Sequence, residues 1–260
     1  SKQADGLRDD ALRNAGSTLG SAAGGMQVGE NVSNIPTDTP IETINTNDDL
    51  PRQDEPPQES APPVQDKSAI VFVHGWNSTD DVWNDMRSYL SAKGLNRHAA
   101  IDLPGRGLVQ PIPDLAQKLA VTINGLAAQG VTKVSLVSHS MGGLVCREYL
   151  RTRPAGHSVA IPTLITIATP HHGTQLFTQD CFELIGCTPR MQMNPDSDFI
   201  KSINAAGAPS GTKVVSIWTP DDEVVSPPTS CVVSWAKNYK ITGLGSKPHS
   251  AIVRSPHVFE

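Results

Sequence analysis

A chain of 260 residues with 38 % apolar residues is long enough for one core of ordinary size plus a tail. Its net charge near −5, with 21 Lys and Arg against 26 Asp and Glu and no basic cluster, excludes the electrostatic footprint of nucleic-acid binding. The longest apolar runs, such as Ala69–Val73, are far too short to cross a bilayer.

Residues 1–66 read as a polar N-terminal extension. The stretch "DGLRDDALRNAGSTLGSAAGG" reads as a short weak helix. The stretch from Pro36 to Pro63 is acidic, proline-rich and almost without groups to bury, as in an extended linker. Removing residues 1–60 is therefore expected to leave turnover intact. No basic stretch followed by an apolar one opens the chain, so a secretion signal is expected to have been removed or never present.

From residue 67 onward the pattern alternates. "AIVFV" (69–73) is a short buried strand ending at His74-Gly75, and Thr79-Asp80-Asp81 can cap a helix carrying Val82, Trp83, Met86, Tyr89 and Leu90. "HAAIDL" (98–103) is a second strand, and residues 112–130 form an amphipathic helix with a Gly stop. "KVSLVS" (133–138) leads into a helix from Met141 to about Thr152. "TLITIA" (163–168) and "KVVSIW" (213–218) are further buried strands, and "KNYKIT" (237–242) is a weaker one. Strands alternating with helices predict an α/β domain over 67–260, a mostly parallel, doubly wound sheet with helices on both faces.

Within it, "VSLVSHSMGGLV" (134–145) stops an apolar strand on Ser140 and restarts at once as a helix. A sharp turn there needs small residues two positions before and after the serine, and Ser138 and Gly142 supply them. The plain alternative is that Ser140 caps the helix with its side chain. The flanking strand, Gly143 for close helix packing and the parallel-sheet setting favour a nucleophile held up on a strained turn.

With these motifs assembled, the chain resembles the secreted lipase/esterase branch of the α/β-hydrolases, close to the small class 2 bacterial lipases, in a compact form with a small lid or none. "VFVHGWNST", "SHSMGG", "ATPHHGT" and "TPDDEVVSPPTS" carry the resemblance; the first position of the G-x-S-x-G turn is serine here. The resemblance implies Ser140 as nucleophile, Asp222 as acid with Asp221 as runner-up, and His249 as base with His257 as alternative. It implies the backbone N–H groups of Trp76 and Met141 as oxyanion donors. Trp76, His139 and Phe177 are expected to line the substrate site. No cofactor and no metal are implied. The expected substrate is a lipid or other water-insoluble ester, and the expected protein is a monomer, secreted or held at the cell surface or in the periplasm. A polyester hydrolase or an acyltransferase would use the same triad.

Other polar residues read as structural: His74 in its turn, the adjacent His171 and His172, which lack a third ligand at metal spacing, and Asp102 in a loop. Residues 174–204 are either a small cap or an ordinary loop and helix. Of four cysteines, Cys181 and Cys187 are spaced for a loop disulfide, Cys146 reads as a core thiol, and Cys231 has no evident partner.

Overall fold

The computed structural model describes residues 38–48, 67–103, 110–177 and 188–260. Among these, seven strands build one sheet: β1 (Ile41–Asn45), β2 (Ser68–Val73), β3 (His98–Ile101), β4 (Lys133–His139), β5 (Thr163–Ile167), β6 (Lys213–Trp218) and β7 (Lys237–Thr242). The helices are α1 (Asn84–Ala92), α2 (Ile112–Ala128), α3 (Met141–Thr152), α4 (Thr188–Gln192), α5 (Asp198–Ala205), α6 (Pro248–Ala251) and α7 (Pro256–Phe259). Strand order is β1-β7-β6-β5-β4-β2-β3 and every neighbouring pair is parallel. The fold is the parallel α/β sheet expected from the alternating strands and helices.

The alternation that made the strands legible in sequence divides the core. Val71, Val73, Val134, Leu136 and Leu164 face one way, against Leu115, Leu119 and Ile123 of α2 and Leu144 and Val145 of α3. Phe72, Val137, Ile167, Ile217 and Ile241 face the other way, against Trp83, Met86, Ile252 and Val253. In α2 the buried positions Ile112, Leu115, Ala116, Leu119 and Ile123 trace a single stripe at helical spacing. α3 is buried on all sides from Met141 to Tyr149, as a helix must be that lies between the sheet and its neighbours.

Two local expectations change. The helix foreseen after Thr79 begins as a 3-10 turn, Asp80–Trp83, and Thr79 makes no side-chain cap bond. More consequentially, β1 lies inside the acidic, proline-rich stretch. Its register against β7 runs from Ile41 beside Asn238 to Asn45 beside Thr242, and the Thr46 hydroxyl donates to the Thr242 carbonyl at 2.9 Å. Four of its five residues are exposed and Ile44 is half-buried, which is why the segment has no apolar signature. Residues 178–187, within the stretch read as either a cap or an ordinary loop and helix, lie outside the described residues, and Cys181 and Cys187 with them. Cys146 and Cys231 are buried free thiols.

A parallel sheet sends every strand's carboxyl end to one edge. The chain moves outward from β2 to β3, then crosses back to β4 on the other side of β2, so that edge opens a crevice at the ends of β2 and β4. Deleting residues 1–60 removes β1 and uncovers the edge of β7. The expected loss is on the order of 1–3 kcal/mol of unfolding free energy, the scale of a few backbone hydrogen bonds and one half-buried Ile. Urea unfolding measures it, and an unchanged midpoint would mean that β1 contributes nothing.

Candidate active site

Ser140 stands at the carboxyl end of β4 with φ 54° and ψ −128°, a backbone conformation that costs a non-glycine residue on the order of 1–3 kcal/mol. Its side chain makes no capping bond to α3, so helix capping does not explain the serine. The turn is held by packing. A Cβ at Gly142 would lie 2.3 Å from the Val73 carbonyl oxygen, one at Gly143 would lie 2.2 Å from Thr169 Oγ1, and one at Gly75 would lie 2.8 Å from Ser140 Cβ. Only glycines allow these three approaches. The Ser140 amide donates to the Ile167 carbonyl at 2.8 Å, and the Thr169 hydroxyl donates to the Ser140 carbonyl at 2.9 Å.

Asp222 follows β6 and His249 sits in α6, after β7; both are buried. His249 Nδ1–H donates to Asp222 Oδ2 at 2.8 Å and lies 3.0 Å from Oδ1. Asp222 Oδ1 also accepts the amides of Val224 and Val225, each at 2.8 Å. The carboxylate is therefore immobilised by its own loop before it meets the imidazole. With Nδ1 engaged, Nε2 is the His249 nitrogen left to face a substrate.

Ser140 and His249 line one cleft of about 430 Å³ together with Trp76, His139, Leu176, Met193 and Val224, a usual size for a small-molecule site. Asn77, Ser78, Thr79, Asp81 and Arg254 give the same cleft a polar side. Two larger grooves, about 530 and 640 Å³, run along the sheet beside Phe259. Neither contains Ser140, Asp222 or His249, so size does not mark the site here. Phe177 ends the 3-10 turn Gln175–Phe177, and its side chain lies outside the described residues. Asp221 is exposed. His257 is remote from the cleft, its Nε2 3.2 Å from the Asp48 carbonyl.

Four further histidines have tautomers fixed by their partners. His74 Nε2 accepts the Leu103 amide at 3.0 Å, so Nδ1–H donates to the Gly75 carbonyl at 2.9 Å. That leaves Nε2 without a proton, and the 3.8 Å approach of the exposed Asp102 is not an ion pair. His139 Nε2–H donates to the His249 carbonyl at 2.8 Å. His171 accepts from Arg147 at Nδ1, 3.3 Å away, and donates from Nε2 to the Thr166 hydroxyl at 3.0 Å. His172 donates to the Val232 carbonyl and accepts from Asn204. All four nitrogens of the His171–His172 pair are thus used inside the fold.

Two residues at this end of the molecule were not legible beforehand. Arg147 is a buried cation bonded to Asn204 Oδ1 and the Ile203 carbonyl and stacked 5.1 Å from the Trp235 ring centre. Burial pulls its pKa down to about 10. Glu223, exposed beside Asp222, accepts the backbone amide of His249 at 3.0 Å. Neither contact has a local pattern in sequence.

The model of the alpha/beta hydrolase family matches residues 70–240. A triacylglycerol lipase of Pseudarthrobacter phenanthrenivorans is 34 % identical over 127 residues, covering 43 % of this chain and 36 % of that protein. One from Burkholderia plantarii is also 34 % identical over 127 residues, covering 43 % and 32 %. The chain spans about a third of the length of these relatives. Among solved structures, the mature Bacillus licheniformis lipase BlEst2 superposes with a TM-score of 0.60 at 22 % identity, covering 78 % of this chain and 93 % of that one. Aspergillus fumigatus lipase B gives 0.59 at 20 %, covering 74 % and 50 %. At such identities the superpositions speak for the fold alone.

Burial, and then the nearby His249, push the His139 pKa down to about 3; burial also lowers His171 and His172. These rings stay neutral in the fold while the unfolded chain takes up protons near pH 6.5. Their contribution to stability is complete above about pH 6.5 and falls away in acid, for His139 as pH falls towards 3. Between those two limits His139 steepens the decline by about 1.4 kcal/mol per pH unit. His139→Gln should make the pH dependence of urea unfolding shallower by that amount between pH 6 and 4. An unaltered slope would mean that His139 is protonated in the fold.

Proposed function

The chain belongs to the alpha/beta hydrolase family, and from that premise we propose that it is a serine carboxylester hydrolase acting on lipid esters, a triacylglycerol lipase or esterase. The observation that carries the reading is a serine strained to φ 54° at a strand-to-helix turn, sharing a cleft with a histidine whose other nitrogen is held by a buried carboxylate at 2.8 Å.

Ser140 Oγ attacks the ester carbonyl carbon while His249 Nε2 takes the hydroxyl proton. Asp222 keeps Nδ1–H in place and stabilises the imidazolium that forms. The tetrahedral oxyanion is bound by backbone N–H groups, each contributing on the order of 3 kcal/mol to the transition state. Met141 is the first residue of α3, so its N–H has no carbonyl four residues back within the helix. Trp76 is the second donor. The Gly75 carbonyl is drawn to His74 Nδ1, and in a trans peptide this turns the Trp76 N–H the opposite way. Gly75 itself passes close enough to Ser140 that only a hydrogen fits between them. Collapse of the intermediate sends the His249 proton to the departing alcohol and leaves an acyl group on Ser140. Water, deprotonated by His249, then hydrolyses it.

The lining supports an ester with unlike ends. Leu176, Met193 and Val224 offer an apolar wall for the acyl chain, while Asn77, Ser78, Thr79 and Arg254 offer polar groups for the alcohol. The catalytic unit is residues 67–260 with β1 added at the edge of the sheet.

Hydrolysis of p-nitrophenyl esters from C2 to C16, with Ser140→Ala beside the wild type, tests this. The variant should lose at least about a thousandfold in kcat, and the chain-length optimum separates lipase from esterase. Equal activity in both proteins would remove Ser140 from the reaction.

A further inference from the structure

His249 is fixed through its imidazole, and its main chain is held as well, at both ends of the residue. The His249 amide donates to Glu223 Oε2 at 3.0 Å, and the His249 carbonyl accepts from His139 Nε2–H at 2.8 Å. Glu223 is the residue after the proposed acid and His139 is the residue before the proposed nucleophile. We infer that His139 and Glu223 form a two-sided clamp on the backbone of His249, setting the base in register with both of its partners. This inference rests on the reading of Ser140, Asp222 and His249 as a triad.

The need for a clamp follows from where His249 lies. Its helix, α6, is only four residues long, is entered through Lys247 in a left-handed conformation (φ 53°), and has no side-chain cap. Helices this short are not stable by themselves, so the path of the base is left to tertiary contacts. Asp222 fixes the ring plane, but a backbone shift carries the whole ring away from Ser140. A displacement of about 1 Å is enough to cost on the order of a hundredfold in rate.

The chemistry of the two clamp residues suits the task. His139 is buried, its ring centre is 4.8 Å from that of His249, and its Nδ1 has no hydrogen-bond partner. A ring in that setting stays neutral, with one proton, and the proton is committed to the His249 carbonyl. His139 therefore does not compete with His249 for the serine proton. Glu223 is exposed. Both are positioning residues: neither takes a proton from the substrate.

The test is steady-state kinetics on a p-nitrophenyl ester with two pairs of variants, each checked for thermal unfolding. Glu223→Ala and His139→Leu should lower kcat by about 10- to 100-fold with KM nearly unchanged. Glu223→Gln keeps an acceptor and His139→Gln keeps a donor at similar reach, and both should restore kcat to within about threefold of wild type. Hydrogen exchange of the His249 amide gives a readout without turnover. It should be slow in the wild type and in Glu223→Gln, and faster in Glu223→Ala. If Glu223→Ala and His139→Leu turn over like the wild type, or if the His249 amide exchanges equally fast in all forms, the clamp is wrong. If Glu223→Gln behaves as Glu223→Ala, the carboxylate acts by charge and the clamp is again wrong. A wild type inert on every ester, with the His249 amide protected as expected, overturns the triad reading and reduces the two bonds to loop structure.

Discussion

Where β4 turns into α3 at Ser140, the backbone passes so near the end of β2 that a methyl group at Gly142 would meet the Val73 carbonyl at 2.3 Å. That contact forces the chain through a conformation costly for serine, and the packing around it must offset the strain. Gly143 against Thr169, the Ser140 amide on Ile167 and the Thr169 hydroxyl on the Ser140 carbonyl do so from the other side. The same close approach brings Gly75 against Ser140, and with it the turn that carries Trp76. The serine, the start of α3 and the end of β2 are in this sense one packed object.

The carboxyl edge of the sheet supplies the rest. Since all strands run parallel, the loops after β2, β4, β6 and β7 emerge together, and these carry Trp76, Ser140, Asp222 and His249. Histidines set much of the order among them, each by a fixed tautomer. His74 holds the Gly75 peptide, His139 holds the His249 backbone, and His171 and His172 tie the loop after β5 to α3, α5 and the segment before β7. Burial keeps His139, His171 and His172 neutral, which lets each give one hydrogen bond and, for the pair, accept another.

Much of this was readable in the sequence. Runs such as "AIVFV" and "KVVSIW", separated by turn residues and amphipathic stretches, yield a parallel sheet because they are buried on both faces. α3 was legible to its ends, Met141 and Thr152. The paired histidines read as loop structure for lack of a third ligand, and their hydrogen bonds are of that kind. β1 was not legible: "IETIN" is short, half polar and exposed at the sheet edge, so nothing in it separates strand from linker. The hold on His249 was not legible either. Its bonds join residues 110 and 26 positions apart, side chain to main chain, and main-chain partners leave no trace in residue type.

A fluorophosphonate ester reacts with a serine only where that serine is activated and an oxyanion can be bound. The most direct measurement is therefore to treat the full chain with such a reagent and locate the adduct by mass spectrometry of its peptides. The account predicts one adduct, on Ser140, absent from Ser140→Ala. No adduct on the folded wild type, or an adduct on another serine, would contradict it.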